Sequence, residues 1–131
     1  SLLSDHYLWP GLYLEHLEKV VATIAKHGGA VIVGRGANFI LPPDDRLSLR
    51  VVAPFEQRVK NVIDRYGVSD DEARERILNR EKKRNAFIKK SFNADACDYL
   101  HYDLVINTSH MNIEDAVTII SLFWGNRHLG K

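Results

Sequence analysis

The sequence has one cysteine and no long apolar run. Cys97 has no second cysteine to pair with, so an internal disulfide is excluded. No apolar run approaches the roughly 20 residues that a helix needs to cross a bilayer, and we expect no membrane partner. The sequence also shows no signal-peptide pattern, so we expect a cytoplasmic protein.

The common phosphate-binding loop is also absent from this sequence. No Gly-x-x-x-x-Gly-Lys-Ser/Thr pattern occurs in the 131 residues, so nucleotide chemistry here would lack its usual cradle for a triphosphate. The six histidines do not have the spacing typical of zinc ligands, and we expect no metal site made of protein side chains.

The apolar content is sufficient for one core. A chain of 131 residues with 45% apolar residues predicts a single globular domain over 1–131. The net charge of +1 hides an asymmetry, because the segment 74–90 contains eight basic and two acidic residues. The rest of the chain is therefore acidic overall.

Hydrophobic periodicity predicts helices that alternate with strands. We expect helices at 12–27, 54–66, about 69–90 and 113–124, and strands at 31–33, 47–52 and 103–107. This alternation indicates parallel strand pairing and a layered α/β domain. Phe123 and Trp124, in the last helix, are expected in the core or in an interface.

The segment 30–38 contains the most informative motif. Val31 to Val33 is an apolar run that we expect to form a strand buried on both faces, and it ends at Gly34, Arg35 and Gly36. Glycines after a parallel strand let backbone amides approach a phosphate, and an arginine can bind two of its oxygens. The motif indicates a phosphate-binding turn, although a structural turn with a solvated arginine has the same sequence.

The basic helix begins with a capping box formed by Ser69 and Glu72. Apolar residues are sparse along it, so we interpret 69–92 as a mobile, lid-like segment. Two alternatives stay open. The charges are also typical of a solvated helix face, and the lysines and arginines together with Phe87 and Phe92 could follow a nucleic-acid backbone, which we consider unlikely.

Four segments, in order, resemble the cytidylate kinase-like family, a branch of the P-loop nucleoside monophosphate kinases. They are Gly34-Arg35-Gly36 followed by Phe39 to Pro42, Leu49 to Pro54 with Glu56 and Arg58, Asn79 to Arg84, and Tyr102 to Thr108. The resemblance extends from about Leu12 to Phe123 and corresponds to the carboxyl-terminal two thirds of the family domain.

The resemblance implies an incomplete P-loop kinase-like α/β domain with a parallel sheet and a helical lid, whose first strand and P-loop are absent from the chain. In complete form such a domain transfers the terminal phosphate of ATP to a nucleoside monophosphate and uses Mg²⁺. We expect this chain to be inactive alone. The alternative is a non-catalytic module for nucleotide sensing or protein interaction.

The resemblance also implies roles for individual residues. The implied acceptor-binding residues are Gly34, Arg35, Gly36 and Glu81. The implied catalytic residues are the lid arginines Arg80 and Arg84. Glu81 would contact the sugar of the acceptor, and no residue is assigned to ATP. CMP is a candidate acceptor because of the resemblance to cytidylate kinases. Classical members have Asp-Gly-Arg-Asp where this chain has Val33 to Gly36. The second acid contacts the base in those enzymes, so its absence here leaves the identity of the base open.

A final implication concerns the sheet. In the family, the first strand lies between the strands that here are 31–33 and 47–52. Unpaired strand edges must be covered or paired. We therefore expect the chain to form a homodimer or to close its sheet non-natively, and a missing amino-terminal segment is the other possible partner.

Overall fold

The structure is a computed structural model that describes residues 10–129. The helices are α1 (Pro10–His27), α2 (Ala37–Ile40), α3 (Phe55–Tyr66), α4 (Asp70–Phe92) and α5 (Ile113–Leu129). The strands are β1 (Leu49–Val52) and β2 (Leu104–Asn107). Single 3-10 turns occur at Pro43–Asp45, Tyr99–His101 and Thr108–His110.

The two strands form a small parallel sheet, in which Leu49 lies opposite Leu104 and Val52 opposite Asn107. The chain between them contains α3 and α4, as a parallel connection requires. At the start of the sheet, the Ser48 amide donates to the Asp103 carboxylate at 2.7 Å, and the Asp103 amide donates to the Ser48 carbonyl at 2.8 Å. The predicted α/β class with parallel pairing is confirmed.

The strand predicted at 31–33 is wrong. Val31 and Val33 are 93% and 86% exposed, and neither lies in a strand. A strand needs a hydrogen-bonded neighbour, and within residues 10–129 the sheet contains only β1 and β2. The expected burial of this run on both faces is wrong as well, because no element described by the structure pairs with it.

Local signals determine the ends of α3 and α4. Gly67, at a φ of 64°, ends α3 and its amide donates to the Ile63 carbonyl. Ser69 caps α4 and accepts from the Glu72 amide at 3.2 Å, as the capping box predicted. The helix continues to Phe92, two residues beyond the predicted end.

The core of the described chain includes two small clusters of buried residues. In one, Leu17 and Val21 of α1 pack against Ala37 of α2. In the other, Val59 of α3 packs against Ala73 and Ile77 of α4. The second cluster holds the two helices together and so determines the geometry between them.

The closing helix α5 forms where it was predicted, but its expected core residues are exposed. Phe123 is 38% exposed and Trp124 is 48% exposed. Neither belongs to a core cluster of the described residues. Their placement in the core is therefore wrong, and their role in an interface stays a prediction.

Candidate functional site

The inward face of α4 is apolar at both ends and charged in the middle. Ala73, Ile77, Glu81, Arg84 and Ile88 follow one another at intervals of three or four residues, which places them on one side of a helix. The three apolar members are buried, whereas Glu81 is partly exposed and Arg84 is exposed. The helix thus presents two opposite charges within a face that otherwise packs.

An open cleft of about 280 Å³ lies between α3 and α4 beside these charges. Its lining residues are Arg58, Asn61, Val62, Ile77, Arg80, Glu81 and Arg84. Three arginines against one carboxylate give the lining a net positive charge. Such a surface is suited to anionic groups, since guanidinium groups pair with phosphate oxygens.

Arg58 and Glu81 form an ion pair across this cleft. Arg58 Nη1 donates to Glu81 Oε1 at 2.6 Å, and the two side chains are 34% and 33% exposed. Arg58 Nε donates to the Ala53 carbonyl at 3.1 Å, and the guanidinium carbon lies 5.5 Å from the centre of the Phe55 ring. The guanidinium is thereby held between the end of β1 and the middle of α4.

A second ion pair joins the same two helices outside the cleft. Arg74 donates two hydrogen bonds of 2.8 Å to the two carboxylate oxygens of Glu56 and one of 2.6 Å to Asp70. The hydrogen bonds from Arg74 lower the pKa of Glu56. Glu56 in turn raises the pKa of Arg74, with a smaller contribution from Asp70. This pair fixes the start of α4 against α3.

The Gly-Arg-Gly turn has an unusual backbone. Gly34, Arg35 and Gly36 have φ angles of 74°, 60° and 67°, in the left-handed region. That conformation is uncommon for a residue with a side chain. Gly36 is buried, whereas Arg35 is exposed.

The turn packs against the end of α4. A Cβ atom on Gly36 would lie 3.1 Å from Ile88 Cδ1 and 2.6 Å from Phe92 Cε2. Ile88 follows Arg84 by about one helical turn, or roughly 6 Å along the axis. The structure therefore brings Arg80, Glu81 and Arg84 together in the cleft. It places the turn farther along the same helix, outside the cleft lining.

Sequence reasoning did not assign a role to Arg58 or Asn61, both of which line the cleft. Arg58 lies within one of the segments that resemble the kinase family, but no role followed from that. The available signal was its place in the first turn of a helix directly after a strand. Its partner, 23 residues away, could be found only from the packing of α3 on α4.

Arg50 has a structural role near the lone cysteine. Its Nη1 donates to the Ala96 carbonyl at 2.7 Å, and its Nη2 lies 3.6 Å from Cys97 Sγ. Tyr102 donates to the same carbonyl at 2.6 Å. These bonds tie β1 to the loop that precedes β2.

The aromatic residues of the basic helix pack inside the protein. The Phe92 ring stacks on Phe39 with centroids 5.3 Å apart, and Phe87 contacts Tyr13 with centroids 5.9 Å apart. Phe87 and Phe92 are both partly buried. This packing removes the two rings from the surface on which nucleic-acid bases would stack.

Residues 10–129 contain no group of three or more histidine, cysteine or acidic side chains that could hold a metal ion. None of the helices in this part of the chain is long and apolar enough to cross a membrane.

Comparison with known proteins gives consistent similarities. The chain is 31% identical over 104 residues to the cytidylate kinase of Ignicoccus hospitalis, covering 79% of this chain and 60% of that protein. It is 32% identical over 112 residues to the cytidylate kinase of Methanocaldococcus jannaschii, and that match covers 82% of this chain and 62% of that protein. It is 31% identical over 105 residues to the cytidylate kinase of Methanopyrus kandleri, and that match covers 73% of this chain and 54% of that protein.

The chain thus spans between 54% and 62% of the length of these three relatives. The family profile described as "Cytidylate kinase-like family" matches residues 4–110. That match includes the Gly-Arg-Gly turn, both strands and the whole α3–α4 cleft. The chain therefore belongs to the cytidylate kinase-like family.

Proposed function

We propose that this chain is part of a nucleoside monophosphate kinase of the cytidylate kinase type. The complete domain would transfer the terminal phosphate of ATP to a nucleoside monophosphate. The observation that supports this most directly is the α3–α4 cleft, which Arg58, Arg80 and Arg84 line together with Glu81. A positive cleft of this kind suits phosphate groups, and the relatives that this chain resembles are named cytidylate kinases.

Arg80 and Arg84 are the proposed catalytic residues. Phosphoryl transfer spreads negative charge over the oxygens of the moving group, so its catalysis depends on positioning and on nearby cations. Both arginines lie on the exposed part of α4 beside the cleft. Their planar guanidinium groups can each pair with two phosphate oxygens, which a lysine cannot do.

The acceptor nucleotide is the proposed ligand of the Gly-Arg-Gly turn and of Glu81. Arg35 would bind the acceptor from an exposed position on the turn, and Gly34 and Gly36 would let the backbone approach it closely. Glu81 would accept hydrogen bonds from sugar hydroxyls, since an ionised carboxylate is an acceptor only. CMP is the first acceptor to test.

Binding of ATP and Mg²⁺ is proposed for the complete domain and not for this chain alone. The chain has no Gly-x-x-x-x-Gly-Lys-Ser/Thr loop, and residues 10–129 gather no carboxylate cluster suited to a divalent cation. Since the relatives are longer, we propose that the binding sites for ATP and Mg²⁺ lie in a part of the protein outside these 131 residues. This chain alone would then be inactive.

The rest of the domain would also cover an exposed apolar surface. Val31, Val33 and Val51 are 93%, 86% and 63% exposed. Within the described chain, β1 has a strand neighbour on one side only. A further strand, supplied by the remainder of the proposed domain, would pair with the other edge of β1 and, as the resemblance implies, lie between β1 and the segment 31–33.

The proposal is tested by calorimetric titration of the chain with CMP, UMP, AMP, GMP and magnesium-ATP. The titration is repeated with Arg35→Ala and with Arg65→Ala, an exposed arginine of α3 that does not line the cleft. We expect saturable binding of one monophosphate, weakened about tenfold or more in Arg35→Ala because a charged hydrogen-bonding partner is lost. Arg65→Ala should bind like the unaltered chain.

The titration also separates the proposal from its alternative. Binding of a monophosphate without binding of ATP would support an acceptor half of a kinase site and would identify its base. No binding across the panel would contradict an acceptor site in this chain. The non-catalytic interaction module would then be favoured, since the exposed apolar surface suits a protein partner.

A further inference from the structure

We propose that Arg58 is a positioning residue, which holds the Glu81 carboxylate in the cleft and keeps it away from the lid arginines. The inference rests on the proposed function, because Glu81 is there the contact to the acceptor nucleotide. Arg58 itself needs no contact with a nucleotide in this role. It acts through the ion pair that it forms with Glu81.

The position of the Arg58 guanidinium is determined from two sides. Its Nε donates to the carbonyl of Ala53, the residue directly after β1, at 3.1 Å. Its Nη1 donates to Glu81 Oε1 at 2.6 Å. A line of hydrogen bonds therefore runs from the end of the strand to the middle of α4. Only a planar fork with several donors can make both bonds at once.

Glu81 has competing cations on its own helix. Arg84 follows it by three residues, a spacing at which side chains on a helix meet. If Glu81 paired with Arg84, its carboxylate would no longer contact the sugar of the acceptor nucleotide. It would also neutralise the guanidinium that is proposed to bind phosphate oxygens. The pair with Arg58 prevents both effects, because it draws Glu81 across the cleft toward α3.

The Arg58–Glu81 pair is less exposed than the Arg74–Glu56 pair, which also joins α3 to α4. Arg58 and Glu81 are each about one third exposed, at 34% and 33%. In the Arg74–Glu56 pair, the carboxylate is 73% exposed and neither residue lines the cleft. Removing Arg74 therefore loosens α4 from α3 without changing the charges of the cleft, and this variant is a matched control.

The experiment measures monophosphate affinity and melting temperature of the 131-residue chain in five forms. These are the unaltered chain, Arg58→Gln, Arg58→Lys, Glu81→Gln and the control Arg74→Gln. We expect Arg58→Gln and Arg58→Lys to weaken monophosphate binding about tenfold, because a charge-assisted hydrogen bond is lost or misplaced. Arg74→Gln should change the affinity less than about twofold while lowering the melting temperature.

A double variant gives the decisive comparison. If Arg58 acts only through Glu81, then Arg58→Gln combined with Glu81→Gln weakens binding no more than Glu81→Gln alone. Additive losses would overturn the positioning role, and so would an equal loss in Arg74→Gln. In either case the monophosphate still binds the unaltered chain, so the proposed function stands. If the unaltered chain binds no monophosphate, the proposed function fails and the positioning role fails with it.

Discussion

Gly36 is the residue where backbone and packing leave the least freedom. Its φ of 67° lies in the left-handed region, and a Cβ atom there would approach Phe92 Cε2 to 2.6 Å. The Phe92 ring cannot easily move aside, because it stacks on Phe39 and contacts Phe87 edge to face. The turn that presents Arg35 therefore depends on a residue without a side chain.

Gly36→Ala should lower the free energy of unfolding by about 2 to 4 kcal/mol, since backbone strain and overpacking act together. Gly34→Ala is the matched control. Gly34 has a φ of 74° but no atom within 4 Å of its Cβ position, so only the backbone strain of about 1 to 2 kcal/mol applies. Urea denaturation of both variants measures the difference. Equal losses would show that Phe92 does not restrict this position.

The sequence predicted some site residues and missed others for a physical reason. Gly34 to Gly36 were selected from a local pattern, whereas Arg80, Glu81 and Arg84 were selected only through the resemblance to the kinase family. Arg58 belongs to the same cleft, but its pairing with Glu81 depends on how two helices pack. No local pattern specifies that contact.

Among the elements, α4 is held to α3 by an ion pair that responds to acid. The hydrogen bonds from Arg74 hold the pKa of Glu56 below its ordinary value of 4.5. A lowered carboxyl pKa in the folded state adds stability above the unfolded pKa, and that stability is lost as the pH falls through the folded pKa. The pair should therefore stabilise the protein near neutral pH, and this stabilisation should decline progressively as the pH falls below the ordinary value of 4.5.

The prediction is that Glu56→Gln melts below the unaltered chain at neutral pH and that this difference disappears in acid. Melting temperatures measured from about pH 7 down to about pH 3 test it. Because the pair is exposed, added salt should also reduce the difference at neutral pH. A difference that stays constant across the whole pH range would mean that Glu56 acts through packing and not through its charge.

The elements differ in how far the sequence could predict them. Helices α3 and α4 followed local signals, namely Pro54 before the first, Gly67 after it and Ser69 at the cap of the second. Strand β1 was predicted at 47–52 and observed at Leu49–Val52. The segment 31–33 had a similar apolar pattern but formed no strand, because strand formation depends on a partner that lies elsewhere in the sequence.

At the scale of the whole molecule, the described chain exposes apolar residues on more than one element. Besides Val31, Val33 and Val51, the helix α5 contributes large exposed side chains, namely Ile113, Val117, Leu122 and Trp124. Exposed apolar side chains in such number are typical of surfaces that another polypeptide covers. The free edge of β1 adds unpaired backbone groups, for which a second strand is the natural partner.

Within residues 10–129 no other strand pairs with this edge, so in the isolated chain we expect a second copy to be its partner. We therefore predict that the 131-residue chain self-associates in sedimentation velocity experiments, with a dimer fraction that rises with concentration. Val51→Lys should weaken this association about tenfold or more, since a lysine on an edge strand would have to be desolvated when another strand adds. Val51 is 63% exposed, so the substitution costs little core packing.

Val20→Lys is the matched control, because Val20 is 50% exposed but lies on α1, away from the sheet. This variant should associate like the unaltered chain. Equal weakening by both substitutions would indicate non-specific apolar contact instead of pairing at the β1 edge. A chain that stays monomeric at every concentration would contradict dimerisation. The edge of β1 would then be left to a strand from outside the described residues, as the proposed kinase domain would supply.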